Sequence, residues 1–109
     1  MAETFFYMQT VGWKSGNAHT IEIWFVEYDG CYYLCAEHRE AAHWVKNVIH
    51  QPSVQYRLGE SKTEAAPLAP ATAQVIRDEE QPAKAAAVKA LLKAKYNWDD
   101  GLLVEVRVG

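Results

Sequence analysis

Residues 19–37, "HTIEIWFVEYDGCYYLCAE", decide the fold class. Ile21, Ile23 and Phe25 alternate with Glu22, Trp24 and Val26, a period of two built from strand-forming residue types. Asp29-Gly30 then supplies the positive φ angles of a tight hairpin turn, and "CYYLCAE" reads as the returning strand. The two cysteines, Cys31 and Cys35, lie on that strand. At about 3.3 Å per residue their Cα atoms stand about 13 Å apart, well beyond the roughly 5.5 Å of a disulfide. They are therefore expected as reduced thiols that pack.

The same reading extends outward. Thr4 to Val11 forms a first strand that stops at Gly12. After the hairpin the period changes: in "REAAHWVKNVIH", residues 39–50, Ala41, Trp44, Val45, Val48 and Ile49 recur at three and four, so the segment is an amphipathic helix that Pro52 ends. "SVQYRLG" returns to alternation with Val54, Tyr56 and Leu58. Residues 60–76 are rich in Ala and Pro, and Pro67 and Pro70 fit a central strand badly. An edge strand with a bulge, or a loop before a short strand ending at Ile76, is expected there.

"DEEQPAKAAAVKALLKAKY" is a second helix, with acidic residues before it, Pro82 in its first turn, lysines near its end, and Val88, Leu91 and Leu92 on one face. "LLVEVRV" closes the chain as a strand in which Val104, Val106 and Val108 alternate with Glu105 and Arg107. Six strands at hairpin spacing and two helices predict a mainly β (α+β) domain, an antiparallel sheet or small barrel with the helices outside.

With 109 residues, the chain has the length of one domain, and half its residues are hydrophobic. A net charge of −3 argues against a nucleic-acid surface made by bulk positive charge. No apolar run approaches the roughly 20 residues of a membrane span. The acidic start "MAETFFYMQT" does not read as a secretory signal, so a cytoplasmic location is expected.

The loop "TVGWKSGNAH", residues 10–19, is the first candidate site. It is not a Walker loop, because Lys14 lies inside the glycine pair and a strand follows rather than a helix. Its backbone N–H groups, Lys14, Ser15 and nearby His19 could bind a phosphate or carboxylate, or the loop could be a plain hairpin connection. His19, His38, His43 and His50 match no common zinc spacing, and no nucleophile motif is present. Trp24, Trp44, Tyr96 and Trp98 could be packing residues or the walls of a flat-ring pocket.

Taken together, "MQTVGWKSGNAHTIEIWFVEYDGCYYLCAE", "AAHWVKNVIHQPSVQYRLG" and "AKYNWDDGLLVEVRV" resemble short members of the deazaflavin-dependent nitroreductase family of split-barrel, flavin-type oxidoreductases. The motifs that carry the resemblance are Thr-x-Gly-x-Lys-Ser-Gly and the helix end marked by Trp44, Asn47 and Pro52. It implies a six-stranded split barrel of the FMN-binding type, a homodimer, and the deazaflavin coenzyme F-420 as cofactor, with FMN and haem as second and third choices. By the same resemblance Lys14, Ser15, Gly16 and His19 meet the phosphate and acidic tail, while Trp24, Cys35, Glu37, His38 and Trp44 wall the ring pocket. Tyr96 and Trp98 would border a small electron acceptor such as a quinone, enone or nitro compound, and Tyr96 or His38 would give a proton. Two positions depart from the family pattern: Trp13 stands before Lys14 where arginine is usual, and His19 takes a position where arginine is frequent. A non-catalytic module holding a flavin, haem or apolar molecule is the alternative.

Overall fold

The stretch read as one strand from His19 to Tyr28 is two strands in the computed structural model, which describes residues 4–61, 63 and 66–108. β2 (Ala18–Ile23) pairs antiparallel with β1 (Phe5–Val11), and β3 (Val26–Tyr28) pairs antiparallel with β4 (Cys31–Ala36). Trp24 and Phe25 break the strand between them. The remaining elements are a short 3-10 turn (Arg39–Ala41), α1 (His43–His50), β5 (Ser53–Gly59), β6 (Ala69–Ile76), α2 (Pro82–Tyr96) and β7 (Leu102–Val108). All pairings are antiparallel, in the order β2-β1-β5-β6-β7-β4-β3.

The fold is thus mainly β with two α-helices, as the alternation implied, but the sheet has seven strands rather than six and its hydrogen bonds do not close it. The break at Trp24-Phe25 accounts for both differences. β2 and β3 are the two edges of the sheet, and two residues of chain carry one edge into the other. The sheet must therefore curl, and ring contacts across it report that it does. Phe6 on β1 lies 5.4 Å from Tyr32 on β4, although β5, β6 and β7 stand between these strands in the hydrogen-bonded order.

The curled interior holds Phe6, Met8, Phe25, Leu34, Val54, Ala73, Val104 and Val106, with Val48 contributed by α1. α2 packs on the outside through Ala85, Val88 and Leu92 against Val26, Tyr33, Ile76 and Leu103. Leu91, expected on the packed face, is 39% exposed; Ala85 replaces it, because spacings of three and four run through 85, 88 and 92. α1 is shorter than the segment 39–50 suggested, since Ala42 has extended backbone angles and divides the 3-10 turn from the helix. At the β3–β4 turn Asp29 (φ 52°) and Gly30 (φ 80°) both take positive φ, as the Asp-Gly pair required. Cys31 and Cys35 are free thiols.

β6 ends at Ile76, as the second of the two readings of residues 60–76 expected; 62, 64 and 65 lie outside the described residues. β6 is an eight-residue strand between β5 and β7, not an edge. Among the described residues Pro70 pairs with Gln55 of β5, and the pairing with β7 runs from Ala71 to Ile76.

Glu105 alternates with Val104 and Val106, as expected, but the side it takes is covered by α2. It is fully buried, and it accepts hydrogen bonds from Tyr33 Oη (2.6 Å), Arg107 Nε (2.8 Å), Lys84 Nζ (2.9 Å) and Gln74 Nε2 (3.0 Å). Burial alone would raise its pKa, but the bonds from Tyr33, Lys84, Arg107 and Gln74 outweigh it and hold the carboxyl at about 2. The same burial and the bond to Glu105 push the Tyr33 phenol up. This carboxylate ties β4, β6, β7 and α2 into one unit.

The Glu105 carboxyl is more acidic in the fold than the ~4.3 of a free glutamate. Its contribution is therefore complete above that pH and lost as pH falls toward 2. Glu105→Gln should lower stability by about 2 kcal/mol at neutral pH and flatten the acid limb of the melting temperature against pH. Thermal melts from neutral pH into acid check both effects; equal acid slopes in the two proteins would contradict the assignment.

Candidate functional site

The β1–β2 connection is held together by its own backbone. Gly12 N donates to Asn17 O (2.7 Å), Gly16 N donates to Gly12 O (2.8 Å), and Asn17 N donates to Ser15 Oγ (3.2 Å). Trp13 N donates to Asn47 Oδ1 of α1 (3.1 Å), and Asn47 Nδ2 donates to Thr10 Oγ1 (3.0 Å). Four of the N–H groups that made the loop look like an anion cradle are thus already engaged. A Cβ on Gly12 would stand 2.5 Å from Ser15 Oγ and 3.3 Å from both Asn17 O and His19 Nε2, so a side chain there would push the Ser15 hydroxyl aside. The missing side chain is what lets Ser15 and His19 fold over the loop.

Asn47, only 4% exposed, makes the junction between loop and helix. On the outer side the Trp13 ring stacks on His50 at 4.6 Å, and Lys14 Nζ lies 4.6 Å from the centre of the Trp13 ring. Between loop and helix lies a cleft of about 450 Å³. Lys14, Ser15 and His19 line it from the loop side, and His43, Trp44 and Lys46 line it from α1.

A second cavity, of about 570 Å³, is lined by Trp24, Cys35, Glu37, His38, Trp44 and Trp98, with Phe5, Glu22 and Ile23. Trp44 lines both spaces, and Ile21 and Ile23 of β2 line the cleft and the cavity respectively. The two spaces thus share a wall residue and a strand. The cleft carries lysines and histidines; the cavity is mostly indole and aliphatic surface, with Glu22, Glu37 and His38 on its wall. Burial pushes the Cys35 thiol up to about 11, so it contributes to the wall as a neutral thiol.

Trp24 is 40% exposed and owes its orientation to α2. Its ring stacks on Tyr96 at 4.5 Å with the planes 4° apart. Tyr96 Oη accepts from Phe25 N (3.2 Å) and donates to Phe25 O (3.0 Å), and Lys95 Nζ donates to the same carbonyl (3.2 Å). α2 thereby satisfies the backbone polar groups that the strand break takes out of the ladder.

Of the residues singled out from sequence, Lys14, Ser15, His19 and Trp44 meet at the cleft, and Trp24, Cys35, Glu37, His38, Trp44 and Trp98 meet at the cavity. Gly16 and Tyr96 line neither; Gly16 closes the loop, and Tyr96 holds Trp24 and Phe25. Lys46 and His43 were missed. They lie three apart on the polar side of the helix, ordinary as sequence, and only the Asn47 bond to the loop shows that this side faces a cleft.

Residues 2–101 match the model of the F420H(2)-dependent quinone reductase family, so the chain belongs to that family of deazaflavin-dependent reductases. No curated protein matches it. Among solved structures it is similar to HutZ, the haem storage protein of Vibrio cholerae, at 18% identity and TM-score 0.73, over 96% of this chain and 81% of that one. It is also similar to the F420-H2-dependent reductase FDR-A, at 25% identity and TM-score 0.57 over 94% and 91%. A protein described as a domain-swapped dimer matches at 22% identity and TM-score 0.57 over 97% and 81%.

Tyr96→Phe keeps the ring but removes both hydrogen bonds to Phe25. It should cost about 1 to 3 kcal/mol of stability, read from denaturant melts. A variant as stable as the parent would show that the Phe25 backbone finds other partners.

Proposed function

We propose that cleft and cavity act as one groove along β2 in which this chain binds reduced F-420, and that it serves as a reductase of an electron-poor acceptor such as a quinone, enone or nitro compound. The observation that carries the reading is the groove's polarity: Lys14, Lys46 and Ser15 at one end, Trp24, Trp44 and Trp98 at the other, with Trp44 common to both. The residues fit the coenzyme by chemistry. A phosphate and an acidic tail match two ammonium groups and a hydroxyl, and a flat ring matches an aromatic cavity within the roughly 300–1,000 Å³ usual for such ligands. Bound there, the reduced deazaflavin supplies the hydride.

The protein's part is positioning. Trp24, backed by Tyr96, and Trp44 fix the plane of the ring site. His38 lines the cavity and would give the proton to the acceptor; Tyr96, with its hydroxyl engaged at Phe25, would act by holding Trp24. Glu37 and Cys35 complete the wall, and Trp98 borders the acceptor. No described helix is long and apolar enough to cross a membrane, consistent with a cytoplasmic enzyme, and the similarity to a domain-swapped dimer favours a homodimer.

A second reading draws support from the likeness to a haem storage protein: the same groove would hold haem, or FMN by its phosphate, without turnover. Titration with F-420, FMN and haem separates the two. The reductase reading expects F-420 to bind and its reduced form to be oxidised by a naphthoquinone; tight haem or FMN binding with no affinity for F-420 would overturn it. Lys14→Ala should weaken F-420 binding by about tenfold or more with little change in melting temperature, because an exposed charge adds little to stability.

A further inference from the structure

We infer that Lys46 of α1 is the second cation of the anion site, closing with Lys14 on one phosphate-type group held between loop and helix. In the reductase reading that group belongs to the coenzyme, and the inference rests on that reading only for the ligand's identity.

The loop itself cannot do the work its sequence suggests. The N–H groups of Gly12, Gly16 and Asn17 are spent on closing the loop, and that of Trp13 goes to Asn47. An anion in the cleft must therefore be held largely by side chains. Trp13 cannot substitute for a missing guanidinium, since its ring is stacked on His50. Neighbouring His19 lines the cleft with an imidazole rather than an ammonium or guanidinium. Lys14 is then the loop's one ammonium at the cleft, which it lines with its Nζ resting 4.6 Å from the centre of the Trp13 ring.

Lys46 faces it from the opposite wall. Among the described residues neither Lys14 nor Lys46 has a carboxylate partner, whereas Lys84 and Lys89 are paired with Glu105 and Asp78. Lys46 is half-buried, so its charge acts in a medium less screening than bulk water. The two elements that carry these lysines are joined by the residue next to Lys46: Asn47 is buried and bonded both to Trp13 N, beside Lys14, and to Thr10. The backbones under the two cations of this clamp are thereby held in place before a ligand arrives, which lowers the ordering cost of binding.

Three ligands test the clamp by titration calorimetry and tryptophan fluorescence: inorganic pyrophosphate, F-420, and the same deazaflavin chromophore without phosphate or tail. Lys46→Ala should weaken pyrophosphate and F-420 about tenfold, as much as Lys14→Ala does, and leave the tail-less chromophore unchanged. Lys46→Arg should restore binding, because it keeps the charge. The inference is overturned if the wild-type protein binds no pyrophosphate, if Lys46→Ala leaves pyrophosphate binding unchanged, or if it weakens the tail-less chromophore equally. Pyrophosphate binding that depends on Lys46, with no binding of either deazaflavin, supports the clamp and instead removes the reductase reading.

Discussion

One residue's backbone sets the shape of this molecule. At Phe25 the chain leaves one edge of the sheet and joins the other, and its N–H and C=O point to no strand partner at that step. Buried backbone groups without partners cost on the order of 1–3 kcal/mol each, so the crossing is stable only because the end of α2 arrives there. Tyr96 Oη bonds both groups and Lys95 reinforces the carbonyl. The Phe25 side chain meanwhile enters the core beside Phe6 and Tyr32, so the crossing is held from inside as well.

The site follows from that constraint. Because the strand bends at Trp24-Phe25, Trp24 turns out of the ladder and stacks on Tyr96, leaving one face for the cavity. Because the sheet curls, the start of β1, the ends of β2 and β4, and the start of α1 meet there. The Glu105 carboxylate keeps α2 seated on the outer face through Lys84 while binding β4 and β6 through Tyr33 and Gln74. α2 therefore links the interior of the fold to the cavity wall without lining the cavity with its own residues.

Much of this was legible in the sequence, for physical reasons. The Asp-Gly turn, the alternation on either side of it and the two helical periods report local conformation, and each element appeared near its expected place. What sequence could not show was non-local. Nothing in "IEIWFVEY" marks Trp24-Phe25 as a corner, because the pattern continues unbroken and the partner that stabilises the corner, Tyr96, lies 71 residues away. That Glu105 would be buried was not legible, because burying a carboxylate becomes tolerable only once donors from distant elements converge on it. Pro70 argued against a central strand, yet β6 lies between β5 and β7. In the loop, Lys14 and Ser15 stood out by motif, while Lys46 became visible only when Asn47 was seen to join helix and loop.

The proposed function lays a deazaflavin along β2, its anionic end between Lys14 and Lys46 and its ring against Trp24 and Trp44. A crystal structure of the protein with F-420 tests that placement most directly. The proposed placement requires phosphate density between the two ammonium groups and the ring in the cavity bordered by His38 and Trp98. A ring bound outside that cavity, or a phosphate remote from both lysines, would contradict it.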